Sequence, residues 1–276
     1  MKAPTNKLLI TIFATVVSLL LVLFFLIRDS SKLTVTHYTY SNSRIPEEFD
    51  GFTIVQLSDI HCKNFGENNK DFIDAVTSLQ PDVIFLTGDM IDEAHSDLTP
   101  LRNLFAGIST LAPIYAISGN HECHKDAPYH ELLSLYEEYQ ITDLDDKEIY
   151  IVNGDSSILV KGLGAFQSKI YWDNDFMTYK NPDVFSILLN HYANQFPLLP
   201  QYGYDLILSG HIHGGIIRLP RLGGLIGNGG SLFPQYDAGS YKIGNSTMIV
   251  SRGIGDSVIP RINNNPEIVC ITLNHP

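Results

Sequence analysis

Five short apolar runs in this chain each end in residues that bind divalent cations or move protons. Phe52–Leu57 leads into Ser58-Asp59-Ile60-His61, Asp82–Thr87 into Gly88-Asp89-Met90-Ile91-Asp92, and Pro113–Ser118 into Gly119-Asn120-His121-Glu122. Val184–Leu189 ends in Asn190-His191, and Asp205–Ser209 in Gly210-His211-Ile212-His213. Neutral imidazole, carboxylate and amide oxygen make a hard-to-borderline N/O donor set that suits Mn, Fe, Zn or similar divalent ions. Singly, each end has an ordinary reading. An Asp after a strand caps a helix or forms an Asx turn, His191 is a hydrogen-bonded buried imidazole, and Asn120 is a turn residue. His211 and His213, pointing the same way at i and i+2, are either a metal clamp or a surface turn with two spare histidines. Repetition of the pattern at five strand ends is what turns alone do not explain.

The elements that must position these residues follow from periodicity. Helical spacing of Phe72, Ile73, Val76 and Leu79, and again of Leu98, Leu101, Phe105 and Ile108, places crossover helices between the first three runs. Pro128 opens a third helix, through Tyr139. Alternating strand and helix predicts an α/β fold, in which ligands bind at the carboxyl ends of strands, so the five tips can be neighbours. The second half reads as strands and turns: Ile149–Val152 and Ile158–Lys161 flank Asn153-Gly154, and Ser240–Ile243 and Thr247–Ser251 flank Gly244-Asn245. Leu33–Tyr40 and Glu267–Leu273 complete the strands. No composition break follows Leu33, so residues 33–276 are expected to form one catalytic domain.

The ordered set Asp59-x-His61, Gly88-Asp89-x-x-Asp92, Gly119-Asn120-His121-Glu122, His191, Gly210-His211-x-His213 resembles the calcineurin-like metallophosphoesterases, from about Phe52 to Leu273. Ser209–Pro220 and Tyr236–Gly255, including Ser251-Arg252-Gly253, further resemble a membrane-anchored branch that includes enzymes associated with UDP-diacylglucosamine pyrophosphate hydrolysis. The resemblance implies a four-layer α-β-β-α sandwich of two mixed sheets and two divalent metal ions. One metal would take Asp59, His61 and His213, the other Asn120, His191 and His211, with Asp89 bridging. His121 would be the general acid, oriented by Asp92. Chemistry agrees with that assignment: two cations about 3.5–4 Å apart need a shared carboxylate, and they lower the pKa of a water to give a nucleophile near neutral pH.

Composition limits the substrate. The 18 Lys and Arg against 30 Asp and Glu give a net charge of −12. Leaving out Lys2, Lys7, Arg28, Lys32 and Asp29 at the N-terminus makes the remainder more acidic still. Such a surface repels a nucleic-acid backbone, so no nucleic-acid partner is expected. Leu8–Ile27 carries no charge and would span about 30 Å as a helix, the thickness of a bilayer core. With no A-x-A-like cleavage site after it, residues 1–32 read as a cytoplasmic tip, an uncleaved transmembrane anchor and a short tether. The basic residues flanking the anchor tie in number, and the terminal amine and Asp29 tip the domain to the extracytoplasmic side of the cell membrane. Cys62, Cys123 and Cys270 do not make a disulfide framework.

Several residues carry weaker signals. Arg252 could steady a substrate phosphate or form a salt bridge to Asp256; Arg218 and Arg221 could serve likewise or lie solvated. Tyr171, Trp172, Phe176 and Tyr179 could line a substrate wall or belong to a core. Leu222–Phe233 is apolar on a flexible backbone, and could meet lipid or pack on its own domain. The expected function is metal-dependent hydrolysis of a membrane-associated phosphoester or pyrophosphate, such as a lipid-linked phosphodiester. The alternatives are a membrane-tethered hydrolase of soluble nucleotides or phosphomonoesters, and an inactive metal-containing scaffold. Oligomeric state is not legible.

Overall fold

All five apolar runs are extended, and they sort into two sheets. The computed structural model describes residues 4–94, 96–168, 183–227, 230–256 and 259–276. In chain order the first half holds α1 (Pro4–Asp29), β1 (Thr34–Ser41), β2 (Thr53–Leu57), α2 (Lys70–Ser78), β3 (Val83–Thr87), α3 (Thr99–Ile108), β4 (Ile114–Ile117), α4 (Tyr129–Glu138) and β5 (Thr142–Asp143). The second half holds β6 (Glu148–Asn153), β7 (Ser156–Leu163), α5 (Ala165–Ser168), β8 (Ser186–Tyr192), β9 (Leu206–Gly210), β10 (Arg218–Leu219), β11 (Gly223–Gly224), β12 (Gly239–Ile243), β13 (Ser246–Val250) and β14 (Glu267–Asn274). One mixed sheet runs β1-β14-β2-β3-β4-β5 and the other β12-β13-β9-β8-β7-β6, with β10 and β11 a separate hairpin.

Side-chain alternation explains why these runs are apolar throughout. On β2 and β3, Ile54, Val83 and Phe85 point between the sheets and meet Ile187, Leu189, Leu206 and Leu208. Val55, Leu57, Ile84 and Leu86 point the other way, onto Phe72 and Val76 of α2 and Leu101, Leu104 and Phe105 of α3. Phe85 is wholly buried at the inter-sheet centre; truncating it to alanine would cost about 3–5 kcal/mol. Gln56 stitches the sheets together inside this core: its Nε2 donates to Ser209 O of β9 and Thr87 Oγ1 of β3, both at 3.0 Å.

Two expectations change. The fourth layer is not built of long α-helices among the described residues: the outer face of the second sheet is covered by Phe196 of the 3₁₀ turn Ala193–Leu198 and by Leu199, which joins it to a second such turn, Pro200–Tyr202, with Tyr204 and Tyr236. Pro197 and Pro200 lie within these turns, and neither can donate the backbone bond that would extend them as an α-helix. The expected membrane anchor is the second. Residues 4–29 form one helix, and Leu9, Ile10, Phe13, Leu19 and Leu20 on it are exposed. Among the described residues, however, no helix is long and apolar enough to cross a membrane. What the structure gives is an N-terminal helix with exposed apolar side chains. Tyr171, Trp172, Phe176 and Tyr179 lie outside the described residues.

The apolar run Leu222–Phe233 folds back as a hairpin. Leu225 N donates to Ile217 O at 2.7 Å, and Ile226 bridges to Leu232. Leu225 and Ile226 are half-buried, while Leu222, Leu232 and Phe233 stay exposed.

Candidate metal centre

The tips of β2, β3 and β4 from one sheet meet those of β8 and β9 from the other. Their ligand atoms fall into overlapping groups. Those of Asp59, His61 and His213 lie within 4.8 Å of one another, as do those of Asp89, His191 and His211, and those of His61, Asp89 and His121. His213 Nε2 is 3.4 Å from Asp59 Oδ1 and 3.3 Å from His61 Nε2. His191 Nε2 is 3.0 Å from Asp89 Oδ2, and His61 Nε2 is 4.0 Å from the same oxygen. Asp89 therefore stands between two imidazole sets, as a shared ligand must.

The backbone is bent to achieve this. Asp59, His61, Asp89, His211 and His213 all have positive φ, between 47° and 75°. Left-handed backbone is uncommon for residues with a Cβ, though tolerated best by Asp, Asn and His, and it concentrates at functional sites. Close packing of the tips also requires glycine at Gly210. A Cβ there would lie 2.0 Å from Ser58 Oγ and 2.3 Å from Asp59 Oδ2.

Second contacts fix the ligands. Asp59 accepts from Ser58 Oγ at 2.6 Å and from His211 N at 3.0 Å. His191 Nδ1 lies 2.8 Å from Thr87 O, which aims Nε2 at Asp89; this is the usual way a second contact orients a metal-binding imidazole. Asp89 Oδ1 accepts from His121 N at 2.8 Å. Glu122 is wholly committed to backbone: one oxygen takes Asp89 N and Gly119 N, the other Met90 N and Ile91 N, at 2.7–3.2 Å. It clamps the tips of β3 and β4 together.

The electrostatics call for cations. Burial raises the Asp59 carboxyl, an effect that His191 opposes. Burial opposes ionisation of Asp89 as well, yet His191 overcomes it and holds this carboxyl below the usual carboxylate range. Burial disfavours protonated His191, but Asp89 outweighs that and pushes it up to about 10. Burial drives His61 down, His211 down to about 3 and His213 well below the ordinary histidine value, leaving neutral imidazoles with free lone pairs. Asn120 Oδ1 and His211 Nδ1 are buried without a hydrogen-bond partner, while Asp89 Oδ2 and His191 Nε2 face each other at 3.0 Å. Buried polar atoms are almost always satisfied, and all four belong to the residues expected at one metal. The donor set fits a pair of divalent cations sharing Asp89.

Two expected contacts are made differently. Asp92 was expected on His121, but its Oδ1 accepts from Ala94 N at 2.8 Å, and its Oδ2 lies 3.7 Å from His61 Nδ1. The carboxylate on His121 is Glu93, whose Oε2 is 2.8 Å from Nδ1. Arg252 was expected to face a phosphate or Asp256. It pairs instead with Glu267 at 3.1 Å, while Asp256 pairs with Lys63. The guanidinium at the centre is Arg261, which the sequence reading missed. It is buried, its Nη2 is 3.4 Å from His213 Nδ1, and it donates to Gly255 O and Arg252 O. Asn264, also missed, donates to His213 O at 2.7 Å. Arg218 is held by Asp237 at 2.9 Å, and Arg221 is exposed. None of the three cysteines forms a disulfide.

Residues 52–215, which contain every expected ligand, match the family described as calcineurin-like phosphoesterase. This chain is a calcineurin-like phosphoesterase. Among its relatives, the metallophosphoesterase YkuE of Bacillus subtilis is 33% identical over 89% of this chain and 87% of its own. The UDP-2,3-diacylglucosamine pyrophosphatase LpxG of Chlamydia muridarum is 26% identical, over 83% of this chain and 86% of its own. A Bos taurus protein named as a transmembrane protein with a metallophosphoesterase domain is 27% identical over 94% of this chain and 61% of its own. Membership makes the chain a phosphoester hydrolase.

Proposed function

We propose that this phosphoesterase hydrolyses a membrane-associated phosphoester or pyrophosphate, holding two divalent cations of the Mn, Fe or Zn type. One would be held by Asp59, His61 and His213, the other by Asn120, His191 and His211, with Asp89 common to both. The observation that carries this reading is the pair of unpartnered buried atoms Asn120 Oδ1 and His211 Nδ1, together with the Asp89–His191 contact, in a centre where burial keeps His211 and His213 neutral. When bound, such ions polarise phosphoryl oxygens and make a water acidic enough to attack near neutral pH. The chain's own contribution is positional. Asp59 and Asp89 supply negative charge, Glu122 and Ser58 hold them in place, and His121 stands at the rim to protonate the leaving oxygen.

Two observations support the membrane-associated substrate. Leu9, Phe13, Leu19 and Phe24 leave α1 exposed and apolar, and its exit is tied to the centre. Asn264 N donates to Ser30 Oγ, and the same Asn264 holds His213 O. The LpxG relative is named for an acylated nucleotide-sugar pyrophosphate, which fits a site attached to a bilayer. We place α1 in the membrane and the domain on its extracytoplasmic side. The test is a panel of lipid-linked and soluble phosphoesters and pyrophosphates, assayed with the full chain in Mn, Zn, Mg and chelator. Turnover of a lipid-linked substrate in Mn or Zn, abolished by chelator, is expected. Turnover confined to soluble nucleotides or phosphomonoesters would replace the substrate assignment, and none on any member with metals bound would leave the scaffold reading.

A further inference from the structure

We infer that Glu93, not Asp92, is the positioning residue for His121, and that the two neighbouring acids divide between proton transfer and metal holding. This rests on the hydrolase reading above.

The geometry separates the two acids clearly. Glu93 Oε2 is 2.8 Å from His121 Nδ1, within hydrogen-bond distance. Asp92 Oδ2 is 3.7 Å from Nδ1 of His61, a residue of the metal-ligand set. The rings of His61 and His121 meet edge to face with centroids 4.7 Å apart, so the two acids address two imidazoles in contact. His61 is buried, whereas the His121 side chain is 25% exposed and Glu93 42% exposed, which puts this second pair at the mouth. A leaving group must depart through the mouth.

An imidazole that donates Nδ1–H to a carboxylate has its other nitrogen fixed in direction. For His121 that nitrogen is Nε2, and its main-chain N–H is already held by Asp89 Oδ1 at 2.8 Å. The backbone is thus referenced to Asp89 and the ring to Glu93. In the reaction the oxygen of water forms the new bond to phosphorus and the ester P–O bond breaks. The departing oxygen takes the proton from Nε2, and Nδ1–H stays on Glu93; the proton lost by water returns the imidazole to its starting state. Glu93 never touches the substrate and acts through His121. Its hydrogen bond sets the ring's angle.

A purely structural role predicts uniform loss, whereas a role in protonating the leaving group predicts loss that grows with leaving-group basicity. With the metal-loaded full chain, Glu93→Ala is expected to lower kcat about 10–100-fold on an alkyl phosphoester. On a p-nitrophenyl ester, whose leaving group needs little protonation, the drop should stay below about threefold. Bound metal should be unchanged, and Glu93→Gln, which keeps an acceptor, should recover part of the loss. Asp92→Asn is expected to do the reverse, reducing metal retention without leaving-group dependence. Equal losses on both esters, or loss of metal in Glu93→Ala, would overturn the assignment. A second readout needs no turnover. In long-range ¹H–¹⁵N spectra of the zinc-loaded protein, His121 Nδ1 should carry a proton shared with Glu93, and Glu93→Ala should move the Nδ1 resonance while Asp92→Asn does not. A bare Nδ1 in the unaltered chain, or an Nδ1 resonance unmoved in Glu93→Ala, would refute the pairing. If no ester were turned over, the hydrolase reading would fail while the spectra still decided the pairing.

Discussion

Asp89 divides its two oxygens: Oδ1 accepts from His121 N, and Oδ2 faces His191 and His61. One side chain therefore sets the distance between the His121 backbone and the imidazoles of His191 and His61. His121 and His213 differ accordingly. His213 lies 3.4 Å from Asp59 and is buried among donors with free lone pairs, whereas Nδ1 of His121 is engaged by Glu93. His213→Ala is expected to lower metal occupancy, and His121→Ala to retain both metals while losing most turnover, on the order of 10²–10⁴-fold. Metal analysis beside kinetics checks both at once; identical behaviour of the two variants would remove the division of roles. Asp59, His61, Asp89, His191, His211 and His213, which the fold brings together, were legible in the sequence because each follows a strand whose apolar pattern announces where it ends. Glu93 and Arg261 were not legible. Asp92 has the right spacing from Asp89, but its short side chain turns back to Ala94 and His61, and the longer Glu93 reaches His121. Arg261 sits in an irregular stretch, and only the folded chain reveals that it lies on His213.

At the scale of elements, the centre depends on how closely strand tips from different sheets approach. Gly210 at the end of β9 is where that approach is tightest. A methyl group there would lie 2.0 Å from Ser58 Oγ and 2.3 Å from Asp59 Oδ2. Neither atom is the free end of a flexible chain, since Ser58 Oγ donates to Asp59 and Asp59 accepts from His211 N. Gly210→Ala should cost about 1–3 kcal/mol of stability and displace Asp59, lowering metal affinity as well. Denaturant unfolding with and without metal measures the two effects, and unchanged metal affinity would show that β9 has slack to give. Strand and helix positions were readable because apolar spacing differs between them. The covering of the second sheet by 3₁₀ turns was not, because Phe196, Leu199 and Tyr204 carry apolar surface in a stretch too short and proline-broken to show a period.

At the scale of the whole molecule, the chain passes from the first sheet to the second around Asp145. Its Oδ1 accepts from Ser118 N at the tip of β4 at 2.7 Å, and its Oδ2 from Ser118 Oγ. Ser118 Oγ in turn accepts from Ala165 N, beyond the end of β7, at 3.0 Å. Burial is the main influence on this carboxyl, and despite the two Ser118 bonds it is raised from 3.8 to about 6. The folded state thus holds a proton that the unfolded chain has released between those values. Stability from this group is complete below pH ~4 and is lost as pH rises through about 6, a change of about 3 kcal/mol at most. Asp145→Asn cannot ionise, so it should compare better with the unaltered chain as pH rises: destabilised near pH 4.5, where protonated Asp145 fits its partners, and relatively gaining by pH 7.5. Urea midpoints of both proteins at the two pH values give the answer, since carboxylates elsewhere cancel in the double difference. A difference independent of pH would mean that the buried carboxyl ionises as freely folded as unfolded. The junction between sheets would then hold its charge through the two Ser118 bonds alone.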